Sequence, residues 1–181
     1  MQYKLSRSKL FSLNMDNYKD KNKVLELLKE NGEHLQFLES SLLKDREIVM
    51  AAVKQSGFTI RHAADSLKKD REIAMAAVNQ VGSALEDVDD SLKKNREIVM
   101  AAVNQDGNAL EYADDSLKKD KEIVDAAVKQ NVDAIKFADE TFRKGKEIVM
   151  PTYNYQIEIS GSGTFQIVEE VSKATIHRLY K

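Results

Sequence analysis

The sequence has no cysteine. Disulfides and thiolate sites are therefore excluded, and the composition fits a reducing compartment. Excess charge is also missing. The chain has 28 basic against 30 acidic side chains and a net charge of -2, without the basic surplus that a large nucleic-acid surface normally carries. There is no long apolar run: the opening MQYKLSRSKLFSLN is too polar for a signal peptide, and no later segment approaches a membrane span. Histidine is sparse, at His34, His62 and His177, and these are far apart along the chain. Without cysteine or paired histidines a zinc site has no support. A cytoplasmic protein that needs no cofactor and no metal is the expectation.

What is present is repetition. DREIVMAAVKQSGFTIRHAADSLKK begins at Asp45 and returns in near copies at Asp70, Asn95 and Asp120, a constant step of 25 residues. A weaker copy begins at Asp20 and a truncated one at Gly145. A fixed period of this length signals a repeat architecture. The expected fold class is all-α, a solenoid of short helix pairs, with a small β-hairpin and helix at its C-terminal end. The expected boundaries are 1–19 for an N-terminal cap, 20–150 for the array, and 151–181 for the tail.

Each repeat reads as two helices. The first spans about residues 46–55: Asp45 is an N-cap residue, and Ile48, Val49, Ala52 and Val53 form one stripe. Gly57 stands where a helix commonly stops in a left-handed C′ conformation. Gly32, Gly82 and Gly107 share its place, but Val132 breaks that column, which implies a different turn there, with Asn131 left-handed. The second helix is expected over residues 59–69, with Ile60, Ala63 and Leu67 on one face and a soft boundary at Ser66, which can cap a new turn. The array ends at Pro151. Beyond it, YNYQIEIS and TFQIVEEV flank Gly161-Ser162-Gly163 as a hairpin would, and KATIHRLYK follows as a short helix. This tail reads either as a cap on the last repeat or as the start of a β-rich module.

The block LKKDREIAMAAVNQVG at residues 67–82 resembles a family of short helical repeats known as a domain of unknown function, whose pattern is L-K-N-D-[RK]-E-[VI]-V-x-A-A-V-x-Q-x-G. The resemblance covers about residues 20–150 and implies a helical array. It carries no agreed activity, so it transfers no functional residue.

No catalytic constellation emerges from the sequence. Asp65, Asp90, Asp115 and Glu140 form one acidic column, and Asp89, Asp114 and Asp139 another. Columns in stacked repeats are about 10 Å apart, too far to share a metal ion, so the reading is a solvated face with ladders to Lys68, Lys93 and Lys118. The Gly161-Ser162-Gly163 stretch lacks the lysine and threonine of a phosphate loop.

The candidate binding surface is the face of the first helix turned away from the core stripe. It carries Arg46, Met50 and Lys54, then Arg71, Met75 and Asn79, then Arg96, Met100 and Asn104, with Lys121, Asp125 and Lys129 in the fifth repeat. Methionine beside arginine suits an adaptable protein-binding surface. The functional expectation is a non-catalytic scaffold for a protein or peptide partner, with no membrane partner. The alternatives are single-stranded nucleic acid read by Phe58, His62, Tyr112 and Phe137, or an accessory array of a larger enzyme or effector.

Overall fold

An Asp or Asn starts the first helix of every repeat by capping it. In this computed structural model the Asp45 Oδ1 accepts the amides of Glu47 at 3.0 Å and Ile48 at 3.3 Å. Asp70, Asn95 and Asp120 do the same one, two and three repeats on. These bonds satisfy donors that the first helical turn leaves open. The helices are α1 (Lys21–Glu30), α2 (Arg46–Gln55), α3 (Arg71–Gln80), α4 (Arg96–Gln105) and α5 (Lys121–Gln130). The structure describes residues 20–143 and the backbone of three later strands. The expected cap at 1–19, the turn at 161–163, the helix after Ser172 and His177 lie outside the described residues.

The apolar stripe forms the core as expected. Ile48, Val49, Ala52 and Val53 are fully buried, and so are their counterparts Ile73, Ala74, Ala77 and Val78. The second element differs from the expectation. It is a 3-10 helix of six residues, Gly57–His62, with equivalents at Gly32–Phe37, Gly82–Asp87, Gly107–Tyr112 and Val132–Phe137. It begins two residues earlier than expected and ends at an extended Ala63 (φ -66°, ψ 153°). A separate short turn, Asp65–Lys68, follows. Its buried residues explain the shorter pitch. Thr59 and Ile60 are both buried, and a three-residue turn sets them inward while Ala63 continues into the extended link. Asp65–Lys68 follows Ala64 and has no side-chain cap, whereas in the three later repeats an Asp in that column caps the turn, rather than serine. Asp89 accepts from the Ser91 amide at 3.0 Å, Asp114 from Ser116 and Asp139 from Thr141.

The glycine column is also reassigned. The junction residues before it are extended, with φ -148° at Ser56 and -146° at Asn131, so the turn at Val132 is the same as the others and Asn131 is not left-handed. The glycines are required for close approach. A Cβ on Gly57 would lie 2.5 Å from the Ala77 carbonyl oxygen of the next repeat, and one on Gly32 would lie 2.6 Å from that of Ala52. Gly107 presses on Ala127 in the same way. Val132 replaces the glycine of this column in the fifth repeat.

The chain divides into two compact units, Met1–Leu92 and Lys93–Lys181. In the first unit α1 packs on α2 and α2 on α3; in the second α4 packs on α5. Neighbouring repeats also share one backbone hydrogen bond, from Ala64 N to Leu43 O (3.0 Å) and Asp89 N to Lys68 O (3.2 Å) in the first unit. Asp114 N to Lys93 O (3.1 Å) and Asp139 N to Lys118 O (3.0 Å) repeat it in the second.

In the truncated sixth copy, where a first helix is expected from Gly145, the described residues 148–150 are not helical. Ile148–Met150 is a strand, paired antiparallel with Tyr155–Ile159, which pairs in turn with Phe165–Glu170. Gly145 occupies the N-cap column without a side-chain acceptor, Ile148 and Val149 favour an extended backbone, and Pro151 blocks helix continuation.

Candidate functional site

The outward face of the first helices divides into ion-pair struts and open positions. Arg46 Nε donates to Asp70 Oδ2 at 2.7 Å, and its Nη2 pairs with Glu72. Arg96 makes the same contacts with Asp120 (2.9 Å) and Glu122, and Lys21 makes them with Asp45 and Glu47 (both 2.8 Å). Each basic residue thus reaches the N-terminal turn of the following repeat. The Arg46 guanidinium holds the Asp70 carboxyl below the usual carboxylate range, helped by the amides it caps. Arg96 and Lys21 lower Asp120 and Asp45 in the same way. Both arginines are about half exposed, 50% and 49%, so solvent screens each strut heavily. They join the first helix of one repeat to that of the next. Arg71 is exposed at the same column position.

The methionines are half-buried. Met50, Met75 and Met100 each leave part of the side chain in solvent, while Lys54, Asn79 and Asn104 are exposed. Between α1 and α2 these positions line a shallow groove of about 730 Å³, with Leu25, Met50 and Ala51 as its apolar surface and Lys29, Arg46, Glu47, Lys54 and Gln55 around it. In α5 the methionine position is Asp125, which pairs with Lys121 on its own helix. The charge there therefore has a specific partner.

The other face is more densely charged. In the first unit Arg61 lies over the Phe58 ring at 5.1 Å and pairs with Asp87 at 3.4 Å. Burial pushes the His62 imidazole down; the nearby Arg61 and Lys68 push the same way, and Glu33 and Asp87 oppose them. In the second unit a polar hollow of about 500 Å³ holds Lys118, Lys119 and Lys136 against Glu111, Asp115, Asp139 and Glu140, with Phe137 at its side. Lys136 lies 4.7 Å from the Phe137 ring centre. Lys68 and Lys118 meet the acidic column as expected, but within their own repeats, and the contacts across the repeat step come from the next lysine. Lys69 faces Asp89 (3.9 Å), and Lys119 faces Asp139 (3.8 Å), across the repeat step. Lys68 and Lys118 pair within their own repeats with Asp65 and Asp115. His34 is buried, with Nδ1 3.4 Å from the Leu27 carbonyl. Among the described residues no group of three His, Asp or Glu is placed to hold a metal ion, and no helix is long and apolar enough to cross a membrane.

Sequence reasoning missed the glutamine column. Gln55 Oε1 accepts the Gly32 amide at 3.0 Å, and Gln130 Oε1 accepts that of Gly107 at 2.6 Å. Gln80 Nε2 donates to the Lys54 carbonyl at 3.1 Å. Each amide reaches back to the preceding repeat, opposite in direction to the arginines. The signal was available, because Gln recurs at 55, 80, 105 and 130. The same alignment extends the methionine column back to Leu25 and the position-54 column back to Lys29.

No curated protein and no solved structure matches the chain. One family model matches it four times in overlapping register, at residues 20–68, 53–93, 70–118 and 95–143. These matches span 20–143, well over half of the chain, and coincide with the helical repeats. The protein belongs to the DUF4116 family, a domain of unknown function.

Proposed function

We propose that the protein is a non-catalytic scaffold that binds a protein or peptide on the outward face of its first helices. The observation that carries this reading is the groove between α1 and α2, where Leu25, Met50 and Ala51 remain partly open to solvent beside Lys29 and Lys54, which pair with no carboxylate among the described residues. Methionine adapts its shape at modest cost, which suits a surface that must receive another chain. The cysteine-free composition fits a reducing compartment, and the proposal includes a cytoplasmic location. It also includes the C-terminal stretch as a hairpin that closes the array or opens a β-rich module. Single-stranded nucleic acid has less support. The hollow beside Phe137 sets four carboxylates against three lysines, which disfavours phosphate.

The test is affinity capture from the source cell with the full chain and with Met50→Asp/Met75→Asp. Asp125 already occupies this column in the fifth repeat, so the substitution is compatible with the helix. A protein bound by the native chain and released by the variant, at an unchanged unfolding midpoint, supports the reading. Capture of every partner by both refutes it. Reversal of Arg96 is a poor substitute, because a carboxylate there would face Asp120 and Glu122 and weaken the repeat stacking.

A further inference from the structure

The groove between α1 and α2 is asymmetric in charge, and this narrows what can occupy it; the argument rests on the scaffold reading above. Two of its charged residues are already committed. Arg46 is engaged by Asp70 and Glu72, and Glu47 by Lys21. Lys29 and Lys54 differ. They stand in the last turns of the two helices, both are exposed, and no described carboxylate is in ion-pair distance of either. A lysine at a helix C-terminus is favourable in itself. The helices do not need one at this position, however, because Asn79 and Asn104 take it in α3 and α4. The two lysines therefore leave positive charge at one end of an apolar groove, on adjacent helices.

We propose that this groove takes an acidic–aliphatic segment of a partner protein, with an aliphatic side chain against Leu25, Met50 and Ala51 and flanking carboxylates at Lys29 and Lys54. Helices in contact lie about 8–10 Å apart. An extended peptide crossing them rises about 3.3 Å per residue. Carboxylates two to four residues apart in the peptide thus span about 7–13 Å, within reach of both flexible ammonium groups. A purely apolar segment would leave the lysines unused, and a basic one would be repelled. Because both lysines are exposed, binding weakens as ionic strength rises.

The experiment selects short random peptides on the full-length chain and measures the recovered ones by fluorescence anisotropy. The variants are Lys29→Glu/Lys54→Glu, Met50→Asp and Met75→Asp, each checked by circular dichroism for an unchanged thermal midpoint. The expected peptides pair Asp or Glu with an aliphatic residue. Their affinity falls about tenfold or more on the double lysine reversal, and lysine-for-glutamate peptides recover binding to that variant. Recovered peptides without acidic residues, or acidic ones indifferent to the reversal, overturn the proposal. If such peptides still respond to Met75→Asp, the scaffold reading survives and only the assignment of this groove fails. Peptides indifferent to every variant, or no recovered peptide, defeat both. A mixed-sequence RNA that binds the native chain and is lost on the lysine reversal, with no peptide competing, would reassign the groove to phosphate and overturn the proposal.

Discussion

Replacing Gly57 distinguishes two explanations for the glycine column. In a helix, Ala for Gly normally stabilises by about 0.4–1 kcal/mol, because the unfolded chain has less freedom to lose. At Gly57 the new Cβ would meet the Ala77 carbonyl oxygen at 2.5 Å and the Gln80 Cβ at 3.0 Å. The first contact is with backbone, which cannot rotate away. Forcing extra volume into a packed interior costs about 1–3 kcal/mol. The expected outcome for Gly57→Ala is therefore a net loss of about 2 kcal/mol, or a fall of about 1 M in the urea midpoint at unchanged slope. Gly57→Asn separates the explanations. Asparagine is the favoured replacement at a left-handed position, yet it is bulkier than alanine. Close approach ranks Asn below Ala; a left-handed turn ranks it above. Urea unfolding of both variants decides the matter, and an Asn variant as stable as the Ala variant, or a neutral Gly57→Ala, would refute the packing argument.

Two further outcomes follow from the same contacts. Gln130→Ala removes the acceptor of the buried Gly107 amide and should cost about 1–3 kcal/mol in urea unfolding, with faster hydrogen exchange at that amide. Gln130→Glu keeps an acceptor and should cost less, so equal losses would contradict the assignment. The His62 imidazole is held low, so below its unfolded value of about 6.5 the unfolded chain takes the proton more readily and stability declines until the folded form is protonated too. His62→Phe, which copies Phe37 and Phe137 in the same column, should flatten the stability profile between neutral pH and about pH 5; identical profiles would sink this reading.

The period, the Asp caps and the buried stripe were legible in the sequence because each depends on residues within one helical turn. Ile48, Val49, Ala52 and Val53 need only local spacing to be placed inward. The second element was harder. Ile60 and Ala63 are three apart, which fits a 3-10 pitch and an α-helical face equally, and packing by the next repeat decides between them. Gly57 was misread for the same reason, since the atom that excludes a side chain belongs to a residue twenty positions later in sequence. The arginine struts join columns nearly a full period apart, as Arg46 to Asp70, and are visible only when opposite charges are compared across repeats. The groove beside Met50 needed both helices in place; its column pointed to the face, but Lys29 entered only through the neighbouring helix.

The forward-reaching arginines and backward-reaching glutamines have a consequence for how such a chain can change length. Removing residues 45–69 would bring α1 against α3. Lys21 would then find Asp70 and Glu72 where it now finds Asp45 and Glu47, and Gly32 would find Ala77 and Gln80 in place of Ala52 and Gln55. These joints would be remade with the same chemistry, although Val81 could not replace the hydroxyl that Ser56 donates to Glu33. Gene duplication or deletion can therefore add or drop a whole module while keeping these joints, and the polarity of the joints ensures that each inserted copy can be read in one orientation only.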